Sequence, residues 1–352
     1  MTTNVTQTTE RNLVIIEEIH NVSPIEGADA IEQVTVRGWT VVTKKGEFKT
    51  GDKCLYFELD SALPVADERF AFLEPRGVKT VNDVQVHVLK TARLRGVYSQ
   101  GLALPLADFP EVIGVDVDLA NLLGIFKYEP PLPMGNMNFV GTFTQQYGRK
   151  TDSERVQNLT AEYANIVAAG PWIATEKADG TSLTVIRDET GSIRVCNRNW
   201  ELGAPETGQS PNLYWRAVLN NDLASMLDVN TTLQAEITGP DIQKNPLGLP
   251  SVKVIVFSYL VGGVPQPRSK WPAPSSPDVF YAPVYDLELP DTVAGSVQQV
   301  EKIRSLVAKQ FQQDKGAEGI VWHRENGEAL ESLRGRSNFK ALSNKYILKA
   351  GG

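Results

Sequence analysis

Short apolar segments with polar residues between them dominate the first third of the chain. They are rich in Val, Ile, Leu, Tyr and Phe, and turns containing Pro or Gly separate them. Such runs, bounded by turn residues, favour β-strands. The segments are Leu13–Ile19, Ile31–Val36, Thr40–Thr43, Cys54–Leu59 and Val84–Leu89. Their spacing predicts a small barrel or sandwich. The Thr-rich residues 1–10 before them are predicted to form a disordered tail.

A second pattern follows a polar, proline-containing stretch at 128–149, which we interpret as an interdomain linker. The Thr-Asp-Ser-Glu run at 151–154 fits a capping box and predicts a helix to about Ala168. Strands and helices then alternate, with a Pro-rich surface loop at Val264–Pro283. The predicted strands are 172–177, 182–187, 192–197, 232–238, 252–260, 317–323 and 336–342, and the predicted helices lie near 211–228 and 293–314. The pattern predicts an α+β protein.

Length and composition are those of an ordinary globular protein of two domains. The chain has 352 residues, of which 41% are apolar. We predict an intracellular, cytoplasmic protein, because no apolar run approaches membrane-spanning length and the polar N-terminus lacks the pattern of a signal peptide. Cys54 and Cys196 are too few for a disulfide framework or a structural zinc site, which agrees with a reducing compartment.

Charge is unevenly distributed along the chain. The net charge of -7 argues against a protein that coats nucleic acid, but local binding depends on clustering. From Ser332 to the end there are five lysines and arginines and no acid, and a smaller basic stretch contains Lys90, Arg93 and Arg95. These two stretches are the candidate contacts to a nucleic acid backbone.

A lysine between two β-prone segments is the first candidate for chemistry. Lys177 follows the apolar run 171–174 and precedes Asp179-Gly180 and the segment Leu183–Ile186, a strand-turn-strand pattern. A lysine held at a strand end suits covalent attack on a phosphorus or carbonyl centre. Taken alone, the same pattern also describes a solvated lysine beside a β-turn.

Other segments carry a resemblance to known proteins. The runs His20–Glu32, Gly46–Lys53 and Arg93–Pro105 resemble the OB-like module of tRNA-binding proteins and of one branch of RNA ligases. OB barrels commonly bind single-stranded nucleic acid, although a packing domain without a ligand stays open as an alternative.

Five later segments resemble, in order and spacing, the motifs of the covalent nucleotidyltransferase superfamily, which includes ATP-dependent RNA and DNA ligases and capping guanylyltransferases. They are centred on Arg198, Glu236, Phe257, Glu318-Gly319 and Lys340. With residues 151–158 and the OB-like module, the chain looks most like the RNA ligases with an N-terminal OB domain. The resemblance implies an OB-like β-barrel at 11–127 and a nucleotidyltransferase domain at 150–352, with antiparallel sheets and flanking helices.

The resemblance also implies a reaction. Lys177 would take AMP from ATP and pass it to a 5′-phosphate, which a 3′-hydroxyl then attacks. A lysine of pKa about 10.4 is protonated at neutral pH. Lys340 and a Mg²⁺ or Mn²⁺ ion would lower that pKa and oppose the charge developing on the phosphate. The implied metal ligands are Asp179, Glu236 and Glu318, and Asp179 is also placed among the catalytic residues with Lys177 and Lys340.

The implied nucleotide contacts include residues with open alternatives. They are Glu176, Lys177, Gly180, Arg198, Glu236, Phe257, Lys340, Lys345 and Arg155. Glu236 could bind ribose hydroxyls instead of metal. Phe257 could stack on adenine or be a core aromatic, and Arg198 could be an ordinary surface residue.

Two departures from the family pattern concern cations and metal. Many members have a lysine where this chain has Leu342; Lys345 could substitute for it or face solvent. Some relatives have an acid at Ser258, so one metal-water contact is in doubt.

The expected partners are RNA ends or a nicked duplex containing RNA, with no membrane, and the expected state is a monomer. A DNA ligase or a capping guanylyltransferase is the first alternative, although both usually carry an OB domain after the nucleotidyltransferase domain. A nucleic-acid-binding protein with an inert ligase-like domain is the second.

Overall fold

The computed structural model describes residues 12–129 and 137–350, which divide into two compact units. The first unit comprises described residues 12–129, 157–160 and 347–350, and the second comprises 137–156 and 161–346. The tail predicted at 1–10 and the Pro-rich part of the predicted linker, residues 130–136, lie outside the described residues.

The first unit consists mainly of short strands. They are β1 (Val14–Pro24), β2 (Ile31–Val36), β3 (Trp39–Lys44), β4 (Lys53–Phe57), β5 (Ser61–Pro64), β6 (Lys79–Val81), β7 (Val84–Val88), β8 (Ala92–Leu94), β9 (Val97–Ser99), β10 (Leu102–Pro105) and β11 (Phe126–Lys127), with one short helix, α1 (Leu119–Leu122). One sheet has the order β10-β4-β1-β2-β3, a second has β11-β5-β7-β6, and β8 pairs with β9. The five predicted segments coincide with β1, β2, β3, β4 and β7.

Alternation along these strands builds the core of the first unit. In β2 and β3 every second residue is buried, including Val34, Val36, Trp39 and Val41. Side chains of a strand alternate between its two faces, so this pattern directs one face inward. β4 is buried along most of its length and lies between β1 and β10, which explains its nearly continuous apolar sequence.

The second unit contains two sheets. Its strands are β12 (Phe139–Thr142), β13 (Glu154–Arg155), β14 (Trp172–Lys177), β15 (Thr181–Arg187), β16 (Ile193–Cys196), β17 (Trp200–Leu202), β18 (Thr231–Thr238), β19 (Lys253–Val261), β20 (Val264–Pro265), β21 (Val279–Tyr281), β22 (Val284–Tyr285), β23 (Gly319–Arg324) and β24 (Asn338–Leu342). The larger sheet has the order β12-β17-β16-β15-β18-β19-β20, with β21 beside β19, and the smaller has β13-β24-β23-β14-β22. Both are antiparallel except for the pairs β13 with β24 and β19 with β21.

Five short helices flank these sheets. They are α2 (Tyr163–Ala168), α3 (Leu213–Asn220), α4 (Val293–Val300), α5 (Leu306–Gln310) and α6 (Asn344–Ala350). The apolar face of α3, with Tyr214, Trp215 and Val218, packs in the same cluster as Leu183 and Leu233 of the larger sheet. The long helix predicted at 293–314 is instead the pair α4 and α5, and Ser305 caps the second of them by accepting a hydrogen bond from the Ala308 N–H.

The helix predicted from the capping box at 151–154 is wrong. Glu154 and Arg155 form β13, which pairs in parallel with Phe339 and Lys340, and the next α-helix begins only at Tyr163. The side chains that suggested a cap have other partners: the Thr151 hydroxyl contacts the Ser182 hydroxyl at 3.1 Å, and the Ser153 hydroxyl donates to Asn338. Tertiary partners therefore outweigh the local capping pattern.

Two predicted irregular segments contain strands. Within the predicted linker at 128–149, β12 is an edge strand of the larger sheet, and Phe143 and Tyr147 are buried. The Pro-rich loop at Val264–Pro283 begins with β20 and includes β21 near its end. The domain limits inferred from sequence remain a proposal.

Candidate active site

The turn after β14 fixes Lys177. Asp179 and Gly180 connect β14 to β15, and the Thr238 hydroxyl donates to the Asp179 carbonyl at 2.8 Å. A Cβ atom added at Gly180 would lie 2.2 Å from the Ile237 carbonyl oxygen, so only glycine fits against β18 there. The sequence pattern predicted this strand and turn because both lie within one short stretch of chain.

The Lys177 amine lies between the oxygens of one carboxylate. Its Nζ is 2.8 Å from both Oε1 and Oε2 of Glu318. Gly319 follows, pairs with Lys177 across the sheet, and approaches β24 so closely that an added Cβ would be 2.3 Å from the Ala341 carbonyl oxygen. Burial opposes the charge of Lys177, but Glu318, Glu236 and Asp179 outweigh it and raise the lysine pKa. The amine is therefore an ammonium in this state.

The two other carboxylates have raised pKa values. Burial, together with the negative charge of Glu318, raises the pKa of Asp179 to about 6. Burial also raises the pKa of Glu236 to about 8, with further contributions from Glu318 and Asp179 that Lys177 partly offsets. The Tyr346 hydroxyl donates to Asp179 at 3.0 Å. A concentration of negative charge in a buried place favours a cation there.

These carboxylates suit a divalent cation by chemistry, although they do not form a closed ligand set. Among the described residues, no group of three or more His, Cys, Asp or Glu side chains is close enough together to hold a metal ion. Carboxylate oxygens are nonetheless the donors that Mg²⁺ uses, usually with water completing the shell. The ammonium of Lys177 supplies positive charge beside Glu318 in this structure.

Asp152 joins two cations that the sequence analysis placed in the site. Lys340 Nζ is 2.7 Å from Asp152 Oδ1, and an Arg198 nitrogen is 2.7 Å from Asp152 Oδ2. Burial lowers the pKa of Lys340 to about 8; Asp152 opposes that shift, while Arg155 and Lys177 add to it. Arg155 lies opposite Lys340 in the pairing of β13 with β24. Each carboxylate oxygen of Asp152 therefore contacts a cation, as a phosphate oxygen would.

Phe257 lines an open pocket in the second unit. Thr175, on the same strand as Lys177, lines it too, and the remaining walls include Arg268, Trp271 and His323. Phe257 is half-buried and packs against a cluster that includes Ala178 and Ile255. The pocket combines apolar walls with a few polar groups, as small-ligand sites do.

Two predicted nucleotide contacts are placed elsewhere. The Glu176 side chain is buried and accepts hydrogen bonds from the Leu306 N–H at 2.6 Å and the Val307 N–H at 2.9 Å, so it caps α5. Successive strand side chains point to opposite faces, which is why Glu176 points away from Lys177. Lys345 is exposed at the start of α6, and the departing position, Leu342, is buried against Gly319. In this structure Glu176 is engaged with α5 and Lys345 faces solvent, and their predicted contacts with the nucleotide remain predictions.

Sequence reasoning missed Asp152 and Tyr346. Asp152 was assigned to the capping box, and its contacts with Arg198 and Lys340 span 46 and 188 positions of sequence. Tyr346 comes shortly after the last motif, and its partner Asp179 is 167 positions away. The runs of sequence around them indicated function, but no local signal identified these two side chains.

Comparisons with known proteins agree with this architecture. A model of an OB-fold domain matches residues 13–106, and a model of RNA ligase matches residues 170–345. An RNA ligase of Naegleria gruberi solved with PPi is 34% identical with a TM-score of 0.80, and the match covers 97% of this chain and 99% of that one. Mutants of that ligase, one with AMP and Mn and one with ATP and Mn, match at 34% identity and a TM-score of 0.80, covering 96% of this chain and 99% of theirs. No curated protein matches.

An OB-fold domain followed by a ligase domain with a lysine among carboxylates defines the class of protein, and it confirms the fold expected from sequence. The chain belongs to the RNA ligase family. In the part of the chain that the structure describes, there is no helix of the length and apolarity that crossing a membrane requires.

Proposed function

We propose that this protein is an ATP-dependent RNA ligase that joins a 3′-hydroxyl to a 5′-phosphate through a lysyl-AMP intermediate. The observation that carries the proposal is the position of the Lys177 amine. It lies at a strand end, 2.8 Å from Glu318, and interacts electrostatically with Asp179 and Glu236. The bound ATP, AMP, PPi and Mn of the Naegleria gruberi structures support the choice of nucleotide and metal.

In the first step the Lys177 nitrogen forms a bond to the α-phosphorus of ATP, and the bond from that phosphorus to the bridging oxygen of pyrophosphate breaks. The amine must first lose the proton that the neighbouring carboxylates stabilise, and Glu318 is positioned to accept it. Lys340 and Arg198 are the cations available to the phosphate oxygens once Asp152 releases them.

In the second step an oxygen of the RNA 5′-phosphate attacks the phosphorus of lysyl-AMP, and the bond to Lys177 breaks. In the third step a 3′-hydroxyl oxygen attacks the phosphorus of the RNA 5′-phosphate, and AMP leaves. All three steps displace a group at phosphorus, so the same cations serve each of them. Asp179, Glu236 and Glu318 would hold a divalent ion, which when bound supplies positive charge to the phosphates. Phe257 would lie against adenine in the pocket beside Thr175.

Labelling with α-³²P-ATP and Mg²⁺ or Mn²⁺ tests the proposal directly. The wild-type protein is expected to acquire covalent label that survives denaturing electrophoresis, and Lys177→Ala to acquire none, because the nucleophile is gone. Lys309→Ala is the matched control, since this lysine is exposed on α5 and should leave labelling unchanged. Label that survives in Lys177→Ala, or a wild-type protein that takes none, contradicts the mechanism; in the second case the ligase-like domain is inert.

Two further comparisons test the alternatives, a capping guanylyltransferase and a DNA ligase. Labelling with α-³²P-GTP instead of ATP would indicate capping chemistry. Sealing of a DNA nick in preference to one with RNA on the 3′-hydroxyl side would indicate a DNA ligase. The proposal expects ATP and RNA to be preferred.

A further inference from the structure

Two large aromatic side chains lie exposed beside each other on the second unit. Phe139 and Trp200 retain 43% and 40% of their accessible surface, and their ring centroids are 5.7 Å apart in an edge-to-face arrangement. They lie on neighbouring strands, β12 and β17, at the edge of the larger sheet. Val140, 58% exposed, extends the same apolar edge. Aromatic side chains usually bury most of their surface, and a contiguous exposed apolar patch is typical of an interaction site.

The turn that carries Trp200 is rigid. The buried Asn197 side chain accepts hydrogen bonds from the Asn199 N–H at 2.9 Å and the Trp200 N–H at 2.8 Å, and the Asn197 N–H donates to the Trp200 carbonyl. The Phe143 N–H donates to the Asn199 carbonyl at 2.8 Å. An exposed aromatic on a fixed turn loses little conformational freedom when it binds.

Positive charge surrounds the same turn. Lys150 donates from its ammonium to the neutral amide oxygen of Asn199 at 3.3 Å, and among the described residues it forms no ion pair. Arg198 is 45% exposed and divides its contacts between solvent and Asp152. Arg149, one residue before Lys150, is exposed, but its guanidinium donates to the carbonyls of Arg334 and Gly335 at 3.0 and 2.9 Å and so lies on another segment. Aromatic rings interleaved with basic side chains are the combination that binds single-stranded nucleic acid.

We propose that Trp200, with Phe139 beside it, is a stacking site for a nucleobase of the RNA strand that is being joined. The inference rests on the proposed ligase function. Arg198 connects the two places: it lies two residues from Trp200 and contacts Asp152, which also contacts Lys340. A base on Trp200 therefore belongs to a nucleotide near the reacting phosphate.

An RNA strand satisfies both features of this surface, whereas a protein partner would need a matched acidic and apolar face. The base covers the indole, and the phosphates meet Lys150 and the exposed part of Arg198. Stacking is tolerant of base identity, because every base has an aromatic face. The site therefore contributes affinity for RNA near its end without selecting a sequence.

The test combines Trp200→Ala with RNA from which one base has been removed. A 5′-phosphorylated RNA with a fluorescent 3′ label is titrated with protein in EDTA, and binding is measured by anisotropy. The titration is repeated with RNAs that carry one abasic ribonucleotide, placed one position further from the 5′ end each time. We expect the wild-type protein to lose about tenfold in affinity at one abasic position. Trp200→Ala should bind intact RNA about as weakly as the wild-type protein binds that abasic RNA, and removal of the base should not weaken it further. Trp200→Phe should restore most of the affinity.

Leu219→Ala is the matched control, because Leu219 is an apolar residue on α3 that is 55% exposed. The lysyl-AMP yield of each variant gives its intact fraction, against which RNA affinity is normalised. If the wild-type protein forms no lysyl-AMP, the proposed ligase function fails. If lysyl-AMP forms but Trp200→Ala shows the wild-type abasic profile, the stacking site is wrong. If Trp200→Ala changes the sedimentation of the protein but not its RNA binding, the stacking site is also wrong, and the patch is a protein interface.

Discussion

At the scale of single residues, charge determines what Lys177 can do. Three carboxylates raise the pKa of this lysine and outweigh the opposing effect of burial. The sequence led us to expect a lowered pKa for Lys177, because Lys340 and a metal ion would lie nearby and the carboxylates would bind the metal. Without a cation the lysine is protonated, so attack on ATP requires positive charge to be brought to Glu318, Asp179 and Glu236. In the proposed mechanism, binding of metal-nucleotide is therefore expected to be coupled to activation of the nucleophile.

Lys340 is expected to set the alkaline limit of lysyl-AMP formation. Its pKa is lowered to about 8, so its ammonium is present below that pH and is lost as the pH rises through it. The single-turnover rate should therefore decline above about pH 8. Lys340→Arg, whose guanidinium stays charged, should remove that decline up to about pH 10 even if it lowers the overall rate. A decline at the same pH in Lys340→Arg would exclude Lys340 as its source.

Asp152→Asn is expected to strengthen the binding of metal-free ATP by about threefold to tenfold. The carboxylate occupies Lys340 and Arg198 at 2.7 Å each, and a phosphate must displace it. The same substitution removes the group that opposes the lowering of the Lys340 pKa, so the alkaline decline should move to lower pH. Calorimetry in EDTA and a pH profile measure the two effects. Asp314→Asn, at an 89% exposed carboxylate, is the control; weaker ATP binding by Asp152→Asn would show that Asp152 supports the phosphates.

At the scale of elements, the site is built on paired strands held by close backbone contacts. β14 presents Lys177, the residue before β23 presents Glu318, and β24 presents Lys340, so three paired strands of the smaller sheet position three functional groups. Asp179 and Glu236 come from the turn before β15 and from β18, in or beside the larger sheet. Rigid strands hold such groups more accurately than loops do. Glu176 reinforces this frame by capping α5.

Gly180→Ala is expected to reduce lysyl-AMP formation about a hundredfold with a smaller effect on folding. The added methyl group would lie 2.2 Å from the Ile237 carbonyl oxygen, so the turn between Lys177 and β15 must move. A displacement of about 1 Å at a nucleophile costs about that factor in rate. Label incorporation measures the rate and urea unfolding measures the stability. Gly191→Ala, in a turn where an added Cβ meets no atom within 4 Å but φ is +84°, controls for strain in a glycine turn. A normal rate in Gly180→Ala would mean that this contact does not position Lys177.

At the scale of the whole molecule, the chain consists of two units. The proposed catalytic groups all lie in the second unit, and the first contains the OB-fold domain. Arg93 and Arg95 are exposed there, on and beside the hairpin of β8 and β9, and Arg93 lies 5.5 Å from the ring of Tyr98. Exposed arginines beside an aromatic side chain are typical of a nucleic acid surface.

Replacing Arg93 and Arg95 by Ala together is expected to weaken RNA binding and its dependence on salt. Each phosphate contact to a single strand contributes about 0.7 to the slope of log affinity against log salt concentration, so the slope should fall by about 1.4. Anisotropy titrations between 50 and 200 mM KCl give the slope. Arg76→Ala, at another exposed arginine of the first unit, should leave it unchanged. An unaltered slope in the double variant would place the RNA elsewhere.

The sequence by itself determined the class of protein and much of its framework. Ile31–Val36 and 172–177 were predicted with the bounds that the structure has, because alternation and turn residues act locally. Order and spacing were enough to find Lys177, Asp179, Glu236, Glu318 and Lys340, since each lies in a short run that a family motif describes. Their roles in the reaction remain predictions.

Only the tertiary structure decided which side chains meet. Glu176 caps α5, and Lys345 is exposed to solvent. Residues 154–155, predicted as helix, form β13, and Asp152 contacts both Arg198 and Lys340. These contacts join residues up to 188 positions apart, and nothing in a local pattern encodes them. The strand around Lys177 depends on its own neighbours in sequence, whereas the charge of its amine depends on carboxylates that the fold delivers from elsewhere.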